Sequence, residues 1–243
     1  MKDNFSKQAD LYAKYRPNYP QELYDYILAN CEGRSHAWDC ATGNGQVAEV
    51  LARYFEQVQA TDISEKQLAN AAVANNINYS VSKAEKTAFS EDHFDLITVG
   101  QALHWFDFEL FFKEAKRVLK PNGTLVVWGY DLMLVEPAID ALTLEFDSSV
   151  INLYWDEERR HIDDRYEQIH FPFENIVSKE FAIVKHWDLE TIEGFLGSWS
   201  AVQHFIKRHG YSPVPAFIES LRPHWKQGEQ KAIRFPVFLR LMK

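Results

Sequence analysis

The stretch Asp39-Cys40-Ala41-Thr42-Gly43-Asn44-Gly45-Gln46, followed by Asp62, constrains this chain more than any other feature. An apolar run leads in, an acidic residue closes it, and two glycines make a turn. Val47, Val50, Leu51 and Tyr54 then recur at i, i+3, i+4 and i+7, the spacing of one helix face. Strand, glycine turn and helix in that order form the layout of a nucleotide-type cofactor site. Glycine lets backbone approach a ligand without a Cβ and adopt turn dihedrals cheaply. The helix start offers free N–H groups to a carboxylate or phosphate. Asp62 ends a second strand-like run, Val58-Gln59-Ala60-Thr61, near the roughly 20-residue offset at which a carboxylate meets a ribose diol. The plainer alternative makes Asp39 a turn cap and Asp62 a cap of the next helix. A dinucleotide fingerprint would want a third glycine at position 48, which is alanine here. Alanine is an accepted substitute there, so NAD stays open on that ground alone.

Composition bounds the function classes. The 243 residues are 46% hydrophobic and 25% charged, ordinary for a globular chain with a sizeable core. Net charge is −9, which gives no general attraction to phosphate backbones and argues against nucleic acid as a partner. Cys31 and Cys40 make neither a disulfide framework nor a zinc spacing, and a reduced, cytoplasmic setting is expected. The first residues lack the apolar core of a signal peptide, and no run approaches about 20 apolar residues. No membrane partner is expected, and the chain reads as a monomer or homodimer.

Along the chain, Leu23, Tyr24, Ile27 and Leu28 form an apolar helical stripe within a mostly helical N-terminal segment, 1–34. Strands are expected at 37–41, 57–61, 77–81, 94–99 and 124–128, with helices at 46–54 and from Ser64 through Val73. Ser64 is a good N-cap, with Glu65 at the positive end of the helix dipole. Phe108, Phe111, Phe112, Ala115, Val118 and Leu119 fall on one face of a helix expected to stop at Pro121-Asn122-Gly123. Five alternations of strand and helix argue a parallel sheet. Residues 135–176 read as helical and irregular, and helices are expected near 189–208 and 213–226. Phe181, Ile183, Lys185 and Trp187 alternate as a strand would, and Ile233, Phe235, Val237, Leu239 and Leu241 form a second period-two stripe. Pro236 implies a bulge or an unpaired N–H.

Asp39 directly before the glycine turn fits D-x-(A/G)-x-G-x-G, and this resembles the class I S-adenosylmethionine (SAM) methyltransferases. Four further pieces match: Asp62-Ile63-Ser64, Ala84-Glu85, Gln101-Ala102-Leu103-His104-Trp105, and Arg117 through Leu125. Together they cover about 30–130. Phe5, Ala9, Tyr12, Tyr15, Arg16, Pro17, Tyr19 and Pro20, with the Ala-Leu-His-Trp-Phe run, resemble the trans-aconitate methyltransferase-like branch, which methylates carboxylates of small acids. Ala41 stands where many relatives carry glycine. The resemblance implies an α/β fold: a Rossmann-like, mostly parallel seven-stranded sheet with helices on both faces and a helical, aromatic cap. The last strand would insert antiparallel beside the fifth. It also implies an N-terminal lid in 1–34 and a SAM methyltransferase domain over 35–243, with cap-forming insertions at 135–176 and 188–228.

The resemblance assigns SAM to Tyr12, Arg16, Asp39, Ala41, Thr42, Gly43, Gly45, Gln46, Asp62, Ile63, Ala84, Glu85, Gln101 and Ala102. Asp39 would order the turn or hold the cofactor's ammonium. Tyr12 and Arg16 are lid candidates that can bind a carboxylate, of cofactor or substrate. His104 and Trp105 fall where methyl donor and acceptor meet. A carboxylate acceptor needs no base, whereas for a phenol or amine His104 could take the proton; Trp105 reads as a pocket wall. Tyr15 and Trp199, the latter in a Trp-Ser step, are substrate candidates. Arg159, Arg160, Arg165 and Arg208 could bind a carboxylate or simply face solvent. His161 and His170 show no metal spacing, and no metal is expected. Tyr79 and Lys83 match a short-chain dehydrogenase pair only in spelling, because that pair needs a helix and these follow a strand. The expected function is methyl transfer to a small-molecule acceptor. A SAM-binding regulator without catalysis and an NAD-dependent oxidoreductase are the alternatives.

Overall fold

The computed structural model describes residues 15–243, and everything below concerns those residues. Seven strands form one sheet in the order β3-β2-β1-β4-β5-β7-β6. They are β1 (His36–Cys40), β2 (Gln57–Asp62), β3 (Ile77–Val81), β4 (Phe94–Gly100), β5 (Leu119–Tyr130), β6 (Ile176–Trp187) and β7 (Lys231–Met242). β1 through β5 pair in parallel, and β7 pairs antiparallel with both β5 and β6. Chain order runs outward from β1 to β3, then returns to β4 on the other side of β1. The reversal between β1 and β4 is a topological switch, the crevice where open α/β sheets bind ligands. β4 is buried over six successive residues, as a central strand covered on both faces must be.

The helices are α1 (Gln21–Ala29), α2 (Gln46–Leu51), α3 (Glu65–Ala69), α4 (Phe108–Val118), α5 (Pro137–Glu145), α6 (Arg160–Asp163), α7 (Leu189–Gly197), α8 (Ser200–His209) and α9 (Val214–Leu221). Leu23, Tyr24 and Ile27 of α1 are buried in the same apolar cluster as Leu51, Val58 and Leu96. On the other face Trp38, Phe94, Ile97, Phe111 and Val118 build a second cluster. Among the described residues no helix is long and apolar enough to cross a membrane.

Several boundaries differ from the sequence expectation for local reasons. α2 stops at Leu51, leaving Tyr54 41% exposed rather than on a buried stripe. α3 has five residues, although Ser64 caps it as expected by accepting from the Gln67 N–H. Beyond it, the Tyr79 hydroxyl donates to the Ala72 carbonyl and Asn76 Nδ2 donates to the carbonyls of Ala52 and Phe55, so partners outside the helix replace further helical turns. α4 ends at Val118, not at Pro121: Leu119 is extended and already pairs with Phe94. A residue before proline is biased to extended backbone, and the Pro-Asn-Gly segment becomes an irregularity inside β5. The expected 189–208 helix is two helices, because Trp199 is extended and serves as the N-cap of α8. Pro236 sits in β7 with its carbonyl toward Asp131, one residue past the last β5–β7 pair, Tyr130 with Val237. The missing N–H thus falls where β5 has already ended.

Asp95 organises the amino ends of the central strands. It is 7% exposed and accepts from the Ser35 and His36 amides at 3.0 and 2.9 Å and from Lys120 Nζ at 2.7 Å. Burial alone would push its carboxyl up, but Lys120 and the two amides hold it below its ordinary value. Such an acid stabilises the fold fully above its unfolded pKa of about 4 and loses that contribution as pH falls through the folded value. Asp95→Asn is expected to lower unfolding free energy by about 2 kcal/mol at pH 7, the scale of charge-assisted hydrogen bonds. Urea melts should show the deficit shrinking below about pH 4; a deficit unchanged at pH 3 would contradict this assignment.

Candidate functional site

The crevice at the carboxyl ends of β1 and β4 opens into a cleft of about 1100 Å3, its open mouth included. A second lobe adjoins it and shares Arg16, Ala41, Gly43, Gly100 and Tyr130. The floor comes from the parallel strands. β1 ends in a turn whose dihedrals are demanding: Ala41, Gly43 and Gly45 have φ of 56°, 59° and 80°. At Gly43 a side chain would meet nothing within 4 Å, so the glycine leaves open space facing both lobes. At Gly45 a Cβ would run into the Tyr79 hydroxyl, which fixes that glycine for packing. Ala41 adopts the left-handed region despite its Cβ, at a cost of roughly 1 kcal/mol.

Asp39 is 1% exposed, and its two oxygens accept from Thr98 Oγ1 at 2.8 Å and Thr42 Oγ1 at 2.5 Å. It therefore ties the turn to β4. Burial pushes its carboxyl up to about 6, against the downward pull of Thr42, Thr98 and the Ala48 amide. Asp62 closes β2 and accepts from the Gly43 amide at 2.9 Å and the Ser64 amide at 2.8 Å. Gly43, Asp62, Ile63 and Ser64 form one continuous wall. Gln67 extends it: only 3% exposed, its Oε1 is buried without a hydrogen-bond partner.

After β4, Gln101 has φ 55° and its Oε1 accepts from the Tyr130 amide at 2.7 Å, locking the ends of β4 and β5 together. Ala102, His104 and Trp105 follow on the cleft wall. His104 is 5% exposed, with Nδ1 3.2 Å from the Tyr166 hydroxyl. A hydroxyl that donates to Nδ1 leaves Nε2 carrying the imidazole N–H. Burial, reinforced by the charges of Arg159 and His161, holds the imidazole down at about 3. His104 is thus held neutral and only weakly basic.

The remaining wall comes from outside the parallel strands. Arg16 donates to the Tyr130 hydroxyl at 2.5 Å and lies 5.5 Å from the Phe195 ring. Trp155, Asp156 and Arg159 enter from the irregular segment after α5, and Phe195, Trp199 and Ser200 from the α7–α8 junction. Thr42 and Gln46 face only the second lobe, where Gln46 bonds Asn18. Ala84 and Glu85 do not line the cleft: Ala84 is buried, and Glu85 accepts from the Asp107 amide at 3.2 Å. Tyr15 lies outside as well, its ring against Gly194 of α7. Tyr12 falls outside the described residues. Tyr130, Asp131 and Gln67 were missed by the sequence reading. Their signal was weak: one aromatic and one acid at a strand end, and a glutamine three residues past a helix cap. Tyr79 sits on β3 with its hydroxyl taken by Ala72, so the dehydrogenase-like pair is only a spelling.

Comparison with known proteins adds the following. A family profile described as a methyltransferase domain matches residues 38–127. A Dictyostelium discoideum protein named as a methyltransferase is 36% identical over 249 residues, spanning 99% of this chain and 95% of its own length. A solved structure from Anaeromyxobacter dehalogenans, described as a type II methyltransferase, superposes with a TM-score of 0.86 at 30% identity, covering 94% of this chain and 98% of that one. A Haemonchus contortus phosphoethanolamine N-methyltransferase, solved with phosphomonomethylethanolamine and S-adenosylhomocysteine, shares the fold at 16% identity and a TM-score of 0.54, covering 98% of this chain and 57% of that one.

The Asp39 geometry has a stability consequence. Its folded value is raised to about 6, so its contribution is full below about pH 4 and is lost as pH rises through 6. The shift corresponds to about 3 kcal/mol against the ligand-free protein at neutral pH. Asp39→Asn should therefore fall behind the wild type less at pH 7 than at pH 4. Paired thermal melts at the two pH values check this, and parallel profiles would refute it.

Proposed function

We propose an acceptor and a division of labour on one premise: this chain belongs to the class I SAM-dependent methyltransferases. It is an enzyme of methyl transfer, and SAM is its cofactor. In our reading the cofactor lies along the wall from Gly43 to Gln67. The residues present fit it: Gly43 leaves open the space a Cβ would take, and the buried Gln67 Oε1 offers an acceptor without a partner. Asp62 would accept the ribose hydroxyls. A carboxylate has about four acceptor positions, so this is compatible with its holding the Gly43 and Ser64 amides. Ala41 and Gly43 would pack against the methionine portion, with Arg16 and Tyr130 over it. Asp39 acts from behind the turn. Segment 1–34 would serve as the lid and 135–176 and 188–228 as the cap.

The bound cofactor supplies a methyl group on a sulfonium, an intrinsically strong donor. We infer that the acceptor is the carboxylate of a small organic acid, as the N-terminal resemblance to the trans-aconitate methyltransferase-like branch suggests. The observation that carries this reading is His104. Buried against Tyr166 and held neutral, it is too weakly basic to serve as a proton acceptor for a phenol or amine. A nucleophile that is already ionised suits such a site. The acceptor oxygen forms its bond to the methyl carbon as the carbon–sulfur bond breaks, and no proton moves. The protein's work is then alignment and exclusion of water by Trp105, Phe195 and Trp199.

Turnover of SAM with matched organic acids, phenols and amines tests the acceptor class. Methyl esters should form, with kcat/KM for the acid flat from pH 6 to 9; turnover confined to amines or phenols would remove the carboxylate reading. For the cofactor wall, Asp62→Ala should weaken S-adenosylhomocysteine binding by about 100-fold, the scale of two lost charge-assisted hydrogen bonds. Unchanged affinity in a folded variant, read by isothermal titration, would sink the ribose assignment.

A further inference from the structure

Of the four arginines that the sequence offered as carboxylate ligands, three are engaged elsewhere. Arg160 is exposed and pairs with Glu157 at 2.9 Å. Arg165 bridges Asp131 at 2.7 Å and Glu180 at 2.9 Å. Arg208 lies over Tyr154, at 6.0 Å. Arg159 differs. Its side chain is 14% exposed, its guanidinium lies 4.9 Å from the Trp155 ring centroid, and it lines the cleft. Its carboxylate contact among the described residues is a long one, 3.4 Å to Asp163, an acid 63% exposed. A guanidinium carries five N–H donors in a planar fork, far more than that contact uses.

The surroundings of Arg159 belong to the acceptor side. Trp155 packs on Trp199 at 5.4 Å, and Trp199 leads into Ser200 at the start of α8. None of these comes from the β1 and β2 ends that form the proposed cofactor wall. His104 faces the same cleft, is 95% buried, and has its Nδ1 committed to Tyr166. Its Nε2–H is a second donor, close enough to Arg159 to feel its charge.

We propose that Arg159 is the anion clamp of the acceptor subsite, holding the carboxylate of an aromatic acid whose ring lies against Trp155 and Trp199 while His104 Nε2–H donates to the same group. The proposal rests on the carboxylate reading above and adds the residue and the acid's aromatic class. The Trp155 ring beneath it orients the intrinsically planar fork, so that a carboxylate would meet two parallel donors. Aromatic walls favour a planar body over a flexible aliphatic chain.

The test is binding, not turnover. The protein saturated with S-adenosylhomocysteine is titrated with benzoate, phenylacetate, cinnamate and indole-3-acetate, with the aliphatic acids hexanoate and succinate, and with the matching amides, by calorimetry. At least one acid should bind, its amide should bind weaker, and Arg159→Gln should weaken the acid by about 10- to 100-fold and abolish the preference over the amide. Arg159→Lys should fall between, keeping charge without the fork, and Arg160→Gln should match the wild type. Equal acid binding in wild type and Arg159→Gln would overturn the clamp while leaving the carboxylate reading intact. Binding of aliphatic acids alone would overturn the aromatic class. If no acid binds the wild type, both the clamp and the carboxylate reading fall. A folded Arg159→Gln protein, judged by circular dichroism, that loses S-adenosylhomocysteine instead would place the guanidinium on the cofactor and overturn the proposal.

Discussion

The buried carboxylate of Asp39 is the constraint on which the rest of the site depends. Two threonine hydroxyls, one from the turn and one from β4, meet on it where β1 and β4 part. Without that junction nothing fixes the turn through Ala41 and Gly43, whose left-handed dihedrals are costly and persist only where surroundings over-determine them. Asp62 repeats the device one strand over, gripping the Gly43 and Ser64 amides. The crevice is therefore held by acids that bind protein rather than by apolar contact alone. Its shape is fixed by the protein's own hydrogen bonds, which lowers the ordering cost of binding.

Periodicity made the parallel half legible. β1 to β4 lie within a residue or two of their expected limits: β1 and β4 are buried nearly throughout, and the more exposed β2 and β3 are bounded by turns. The antiparallel β7 beside β5 also followed from a period-two stripe and the family resemblance. Boundaries failed where a partner distant in sequence decides them. α4 loses its last two residues to the Phe94–Leu119 pairing, and the chain after α3 is held by Asn76 donating back to the Ala52 and Phe55 carbonyls. Such contacts leave no local signature.

The same distinction runs through the site. Asp39, Gly43 and Asp62 were readable because their spacing is a local consequence of strand, turn and helix. Ala84 and Glu85 follow β3 as the pattern expects, yet they turn away from the cleft, toward the core and the start of α4. The proposed acceptor wall is assembled from Trp155, Arg159, Phe195 and Trp199, which lie far from the glycine turn and Asp62 in sequence and meet them only in space. Arg159 could not be told from Arg160 in the sequence. One residue of helical rotation puts one on Trp155 and the other in solvent.

Charge explains how an acidic chain can admit an anionic acceptor. Asp131 reaches the cleft but is neutralised by Arg165, which leaves Arg16 and Arg159 to offset the other acids on the walls. In the proposed reaction a sulfonium and a carboxylate cancel each other's charge, so a dry, apolar surround favours the transition state over the separated ions. A guanidinium clamp works the other way: it stabilises the carboxylate more than the neutral ester and so lowers nucleophilicity. The two effects are reconciled if the clamp holds oxygen lone pairs directed away from the methyl and its gain is orientation, which can outweigh the loss by several kcal/mol on the scale of about 7–11 available to positioning. Stacking on Trp155 helps, because a guanidinium held against an aromatic ring is fixed in direction without a close carboxylate of its own. The same asymmetry weakens the grip once the ester has formed, so the product leaves a site that held its substrate by charge.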